Sequence, residues 1–231
     1  MYKKVTEINK NFYNREAKNF SDTRKHAWAG WSKITEEINK TKKRGTINIL
    51  DLGCGNGRFL DFLIENNIKA KYEGWDSSKE MLKQAIKKHK NIKNATFIEK
   101  DITKKNKINK KYQVIVLFGV AHHLKKRELL KALKYYQKYL ECEGILVISF
   151  WQIYKFQRFN KLKVKKINNS SFLLKWQDTK SLRFYRAYKE KDIEEIKKAL
   201  ETLKAIKEFN ADGKEKKLNR YIIFKKTCDK M

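Results

Sequence analysis

Apolar residues along this chain follow two periods. Near-continuous apolar runs at 48–52, 112–118 and 145–151 read as strands buried on both faces, and 71–76 and 95–102 read as shorter strands between them. Helical spacing appears in Phe59, Leu60, Phe62 and Leu63, in the segment 79–90 and in the amphipathic stretch 128–140. Residues 3–39 read as mostly helical. Phe12-Tyr13 and Ala17–Phe20 mark one helix, Trp28, Trp31, Ile34 and Ile38 a second, and Ser21 or Asp22 is placed to cap it. Beyond residue 180 the pattern predicts a strand from Leu182, a helix over 192–203, and two strands, 205–210 and 219–226, joined through a turn at Asp212-Gly213. Residues 154–180 carry the weakest pattern. There Lys155, Arg158, Lys161, Lys163, Lys165 and Lys166 alternate with Phe156, Phe159, Phe172 and Trp176. That mixture serves phosphate binding and base stacking, or else an amphipathic cover with solvated lysines.

The stretch Asn48-Ile49-Leu50-Asp51-Leu52-Gly53-Cys54-Gly55-Asn56-Gly57 joins the first strand to a helix through glycines at alternate positions. Such a turn lets a ligand approach the backbone and aims free N–H groups of the new helix at it. The loop alone does not separate nicotinamide, flavin and adenosyl ligands. Asp51 sharpens the choice. A pyrophosphate beside it would meet like charge, at about 1–4 kcal/mol for a pair near 4 Å in wet surroundings. S-adenosylmethionine carries a sulfonium and an ammonium instead, and a carboxylate suits both. Asp76 lies nineteen residues beyond Gly57, near the ~20-residue spacing of an acid that binds ribose hydroxyls. Ser77-Ser78 follows as a helix cap.

Asp-Leu-Gly-Cys-Gly-Asn-Gly resembles the corresponding loop of class I S-adenosylmethionine-dependent methyltransferases, and the likeness spans residues 46–150. It implies an α/β, Rossmann-like seven-stranded methyltransferase sheet with helices on both faces, an N-terminal helical cap and a C-terminal antiparallel hairpin. S-adenosylmethionine would be held by Asp51, Gly53, Cys54, Gly55, Gly57, Asp76, Ser77 and Val120. Asp101 would accept from the adenine amino group, with the Ile102 N–H on the ring.

A narrower resemblance rests on Tyr13-x3-Ala17-x2-Phe20-Ser21-x-Thr23-Arg24-x3-Trp28, on His122-His123-Leu124 with Arg127, and on Phe150-Trp151-Gln152. These are similar to motifs of the tRNA methyltransferases that esterify 5-carboxymethyluridine at the wobble position. The resemblance implies a tRNA partner, catalytic placement of Arg24, His122 and His123, and substrate contacts from Trp151, Tyr185, Arg186 and Arg220. Arg220 stands where the family has tryptophan. Eukaryotic members use a small zinc-binding activator protein, so a partner of that kind is a further expectation. A small-molecule methyltransferase of the same fold, or a non-catalytic RNA-binding protein on it, are the alternatives.

The chain carries 56 basic against 26 acidic residues, a net charge of +30. This permits a polyanion partner such as RNA, but it also matches a composition rich in lysine, asparagine and isoleucine throughout, with no proline. No composition break divides the 231 residues, so one domain is expected, with 1–45 as cap, 46–150 as cofactor core and 151–231 as substrate side. No apolar run nears the ~20 residues of a membrane helix. The N-terminus has no apolar leader segment, and Cys54, Cys142 and Cys228 lack metal-ligand spacing. A cytoplasmic protein with reduced cysteines, no membrane and no metal is the expectation; the histidine pair has no further ligand cluster beside it.

Overall fold

The computed structural model describes residues 5–41, 45–176 and 179–228. The Lys-rich turn expected at Lys42, Lys43 and Arg44 lies outside them. The apolar runs become Ile47–Leu52 (β1), Ala70–Asp76 (β2), Ala95–Glu99 (β3), Tyr112–Leu117 (β4) and Leu140–Trp151 (β5). Three shorter strands follow, Lys163–Asn168 (β6), Ser171–Lys175 (β7) and Leu182–Arg186 (β8), and Leu203–Ala211 (β9) and Asn219–Lys226 (β10) complete the set. The helices are Val5–Asp22 (α1), Ala29–Ser32 (α2), Thr35–Lys40 (α3), Arg58–Glu65 (α4), Lys79–Lys88 (α5), Lys126–Tyr136 (α6) and Glu190–Ala199 (α7).

Seven strands form one sheet in the order β3-β2-β1-β4-β5-β10-β9. The first five run parallel, and β10 pairs antiparallel with both β5 and β9. Side chains alternate between two cores, as the pleat requires, except at the β4–β5 irregularity between Tyr112 and Val114. Leu50, Leu52, Ile115, Leu117, Leu146, Ile148 and Ile222 face α6 and α7. Ile49, Val114, Val116, Ile145, Val147 and Ile223 face α3, α4 and the Trp31 turn. The near-continuous apolar runs of β1, β4 and β5 are the consequence of burial on both faces. The strand order reverses between β1 and β4, which opens a crevice at their carboxyl ends.

Four expectations are corrected. Helix α1 continues through Ser21 and Asp22, which form its last turn instead of capping a second helix; no glycine or proline interrupts it. Strand β5 begins at Leu140, and Glu143-Gly144 is an irregularity inside it, with Glu143 at φ 64° and the register shifting between Tyr112 and Val114. The 154–180 segment, whose weak pattern points to no regular element, contains defined structure. It makes 3-10 turns and then β6 and β7, which join β8 in a separate antiparallel sheet over Ile153, Leu174, Tyr185 and Ala187. Lysines on an outer strand at both phases hid its alternation. Finally, Cys142 and Cys228 are joined in a disulfide with Cα atoms 5.5 Å apart, because the antiparallel β5–β10 pairing brings the two ends together; Cys54 is free and buried. Among the described residues no helix is long and apolar enough to cross a membrane.

Helix α1 is strapped across the crevice by polar bonds. Asn9 donates to the His123 carbonyl (3.0 Å) and accepts from the Phe184 N–H (2.8 Å), and Glu16 accepts from Ser181 (2.6 Å). The β9–β10 turn is fastened to α2 through buried Asp212, which accepts from the Gly30 N–H, Asn219 and Tyr221.

Candidate active site

A cavity of about 380 Å³ opens at the carboxyl ends of β1 and β4. At its loop end, Gly53 sits at φ 84°, and a Cβ there would lie 2.2 Å from a Val120 methyl, so only glycine lets the loop close on β4. The Gly53 and Cys54 N–H groups both donate to the Trp75 carbonyl, which laces the loop to β2. Asp76, at the end of β2, accepts from the Gly55 N–H (2.9 Å) and the Ser78 N–H (2.8 Å) and remains partly open to the cavity. Burial raises its pKa, opposed by these backbone bonds. Each oxygen keeps a lone pair for a further donor. Asp101 commits Oδ1 to the Thr103 N–H and hydroxyl and leaves Oδ2 for another donor. Ser77, Ile102 and Val120 complete this wall.

Asp51 lies beneath the loop, 2 % exposed, and accepts from the Tyr72 hydroxyl at 2.6 Å. Burial pushes its pKa up to about 7; the Tyr72 bond opposes the rise and the Asp76 charge adds to it. Gly57 caps α4 at φ 76° and packs against His89, off the cavity, so its part is to start the helix.

At the other end, His122 and His123 follow β4 on a single 3-10 turn. The Nδ1 of His123 lies 2.9 Å from the Phe184 carbonyl and its Nε2 lies 2.7 Å from the Tyr13 hydroxyl. A carbonyl only accepts, so Nδ1 carries the proton and Nε2 accepts from Tyr13. Burial, with the Arg183 charge, lowers the His123 pKa to about 3. His122 packs against Trp151 with the rings tilted by 56°, its Nδ1 is buried without a partner, and burial holds its pKa far below the usual range. Both rings are neutral at pH 7.

Arg24 lines this end, held by the Thr23 carbonyl and hydroxyl over the Phe20 ring, and burial together with the Arg183 charge lowers its pKa. Arg58 lies over Trp28 and Trp31 with its pKa lowered to about 10, chiefly by burial. Arg183, on β8, is 4 % exposed and lies over Phe12 and Trp151. Among the described residues none of these three guanidiniums has a carboxylate within salt-bridge distance. The last two escape a reading of the sequence. Arg58 resembles any first-turn residue of a helix, and Arg183 any alternating position of a half-buried strand. Tyr13 belongs to a motif, but its bond to His123 spans 110 residues.

Tyr185, Arg186 and Arg220 do not line the cavity. Tyr185 is buried and donates to the Trp151 carbonyl (2.9 Å), so it supports Trp151 from behind. Arg186 pairs with Asp192 (3.0 Å), and Arg220 makes two bonds to Glu190 (2.6 and 2.8 Å) and one to Glu208. The acidic start of α7 thus consumes two of the cations expected to meet substrate. Among the described residues the one cluster at metal-ligand spacing is Cys142, Glu143 and Cys228, whose two sulfurs are committed to the disulfide; all are exposed and none lines the cavity.

Residues 49–144 match the family model described as a methyltransferase domain. The sheet, with its strand order and flanking helices, has the Rossmann-like fold of methyltransferases. Solved methyltransferases share the fold over nearly the whole chain. An S-adenosylmethionine-dependent methyltransferase from Clostridium acetobutylicum ATCC 824 is 20 % identical, with 94 % of this chain and 99 % of that one covered and a TM-score of 0.66. Magnesium protoporphyrin IX methyltransferase (ChlM) from Synechocystis PCC 6803, solved with bound S-adenosylmethionine, is 14 % identical over 98 % and 99 % of the chains, with a TM-score of 0.64. The N-methyltransferase NodS from Bradyrhizobium japonicum WM9 is 17 % identical over 86 % and 97 %, with a TM-score of 0.59. No curated protein matches the sequence. The loop end fits S-adenosylmethionine: the Gly53 cradle has no room for a Cβ, and Asp76 and Asp101 keep free lone pairs facing the cavity.

Proposed function

We propose that this methyltransferase esterifies a carboxylate, that of 5-carboxymethyluridine at the wobble position of tRNA. The observation that carries the reading is the absence of an available base at the histidine end. Both nitrogens of His123 are occupied, and the pKa of His122 lies far below neutrality. A hydroxyl acceptor needs a base in the transition state. A carboxylate, with a reference pKa of about 4, is already ionised and needs none.

Bound S-adenosylmethionine supplies an electrophilic methyl group on a sulfonium. Asp76 accepts from the ribose hydroxyls and Asp101 from the adenine amino group. Asp51 lies under the loop as the counter-charge to the cofactor's cationic groups. Arg24 and Trp151 position the acceptor, and His122 presents a neutral ring that adds no competing charge. Placement of this kind is worth about 7–11 kcal/mol in well-oriented systems. The +30 charge supports a polyanionic substrate, and a small activator partner accords with the wobble-uridine motifs.

Nucleoside mass spectrometry tests the proposal on tRNA carrying 5-carboxymethyluridine and on unmodified tRNA. A methyl ester on the modified tRNA alone is the expected result, and methylation of other nucleosides would overturn the ester reading. A small-molecule acceptor is the second reading, supported by the ChlM and NodS matches. It requires no salt-dependent tRNA affinity, whereas the tRNA reading requires affinity that falls steeply with salt.

A further inference from the structure

We propose that Arg183 is the receptor for the acceptor's carboxylate, and hence the residue that restricts this enzyme to acidic acceptors. The proposal rests on the carboxylate-acceptor reading above and names the group that enforces it.

Arg183 is buried to 4 % exposure on the cavity wall. Its Nε is buried and has no hydrogen-bond partner. Leaving such a donor unmet is costly, more so on a charged group. The aromatic rings of Phe12 and Trp151, 5.3 and 5.1 Å from the guanidinium carbon, supply no oxygen acceptor. The neighbouring polar groups do not neutralise it either. The Tyr13 hydroxyl accepts a hydrogen bond from Arg183, but it is protonated, its pKa raised by burial, and so supplies no negative charge. His122 and His123 are neutral, and Arg24 adds positive charge. Arg186, half-buried at the end of the same strand, also has an unpartnered Nε, but its charge is met by Asp192. Arg183 is thus a buried cation whose missing counter-charge must come from a ligand. A planar fork of N–H donors matches a planar two-oxygen anion by two parallel bonds.

The reaction then weakens this contact. A carboxylate lone pair forms the O–C bond while the C–S pair stays on sulfur. The acceptor passes from −1 to neutral, the sulfonium becomes a thioether, and no proton moves. The ester no longer balances Arg183, which favours product release.

The test uses the whole chain saturated with S-adenosylhomocysteine, so that the cofactor's own carboxylate site is filled. The Arg183 Nε–H signal is assigned by comparison with R183K in nitrogen-edited NMR and titrated with acetate, acetamide and inorganic phosphate. Acetate is expected to shift it, with acetamide inert and phosphate weaker. No shift with acetate, or an equal shift with phosphate, overturns the carboxylate assignment. A shift seen without S-adenosylhomocysteine and abolished by it places the guanidinium on the cofactor and also overturns it. On 5-carboxymethyluridine tRNA, R183K is expected to raise the tRNA KM about 30- to 100-fold, the worth of a lost charge-assisted pair, with cofactor affinity unchanged. A loss of cofactor affinity of that size contradicts the proposal. Wild-type enzyme that binds acetate at Arg183 but leaves this tRNA unmethylated sinks the tRNA reading alone.

Discussion

At the loop end of the cavity, Asp76 is held by the N–H of Gly55 and that of Ser78, two residues on. At the histidine end, His123 is held by Tyr13, 110 residues away, and by the carbonyl of Phe184, 61 residues away. The first end is backbone geometry at the tips of adjacent parallel strands. The second is a side-chain lattice drawn from α1, β4, β5 and β8. Strand tips are positioned by the sheet itself, whose apolar burial is large and cooperative. The lattice depends on individual bonds worth about 0.5–1.5 kcal/mol each. The loop end should therefore fail in ligand binding when altered, and the histidine end in stability and acceptor selection.

The largest expected effect separates these outcomes. His123→Ala removes two buried bonds and leaves the Tyr13 hydroxyl without its acceptor, so the fold should lose about 2–4 kcal/mol. Cofactor affinity, measured by calorimetry below the unfolding transition, should stay within about threefold. A variant as stable as wild type in urea would dissolve the distinction. Asp76→Ala should do the reverse, weakening S-adenosylmethionine binding about 100-fold, the scale of two lost bonds to a carboxylate, with a smaller change in stability. Calorimetry giving unchanged affinity would reject its role.

A third test uses pH. The folded pKa of Asp51 is raised, to about 7, so the apo fold gains stability as pH falls from 7 toward the unfolded value near 4. A cationic ligand selects the ionised form. Cofactor affinity should therefore fall by up to about tenfold per pH unit below 7. In Asp51→Asn the slope should vanish; an unchanged slope would remove Asp51 from the coupling. Last and smallest, Arg220→Ala should cost below about 1 kcal/mol, because Glu190 is exposed and the pair is screened. Its tRNA kcat/KM should stay within about threefold, as for a residue off the cavity. A tenfold loss would return Arg220 to the substrate surface.

The sheet was legible because its central strands β1, β4 and β5 carry near-continuous apolar runs, as burial on both faces requires, and that pattern survives without knowledge of their order. The loop residues Asp51 to Gly57 and the acids Asp76 and Asp101 were legible for a related reason. Each ends a strand, and strand ends in this architecture share one edge. The outer sheet β6–β7–β8 was not, because lysines occupy both phases of β6 and an exposed strand has no apolar face to reveal it.

What the sequence determined by itself is the strands of the seven-stranded sheet with the helices between them, the glycine cradle and the acids at its rim, since these follow from local chemistry and period. The tertiary structure alone decided which cations are free. Arg183, Arg186 and Arg220 look alike in the chain. Asp192 and Glu190 at the start of α7 neutralise two of them, and the third is left facing the cavity. Charge pairing depends on distances between elements remote in sequence, and only the packed fold sets those distances.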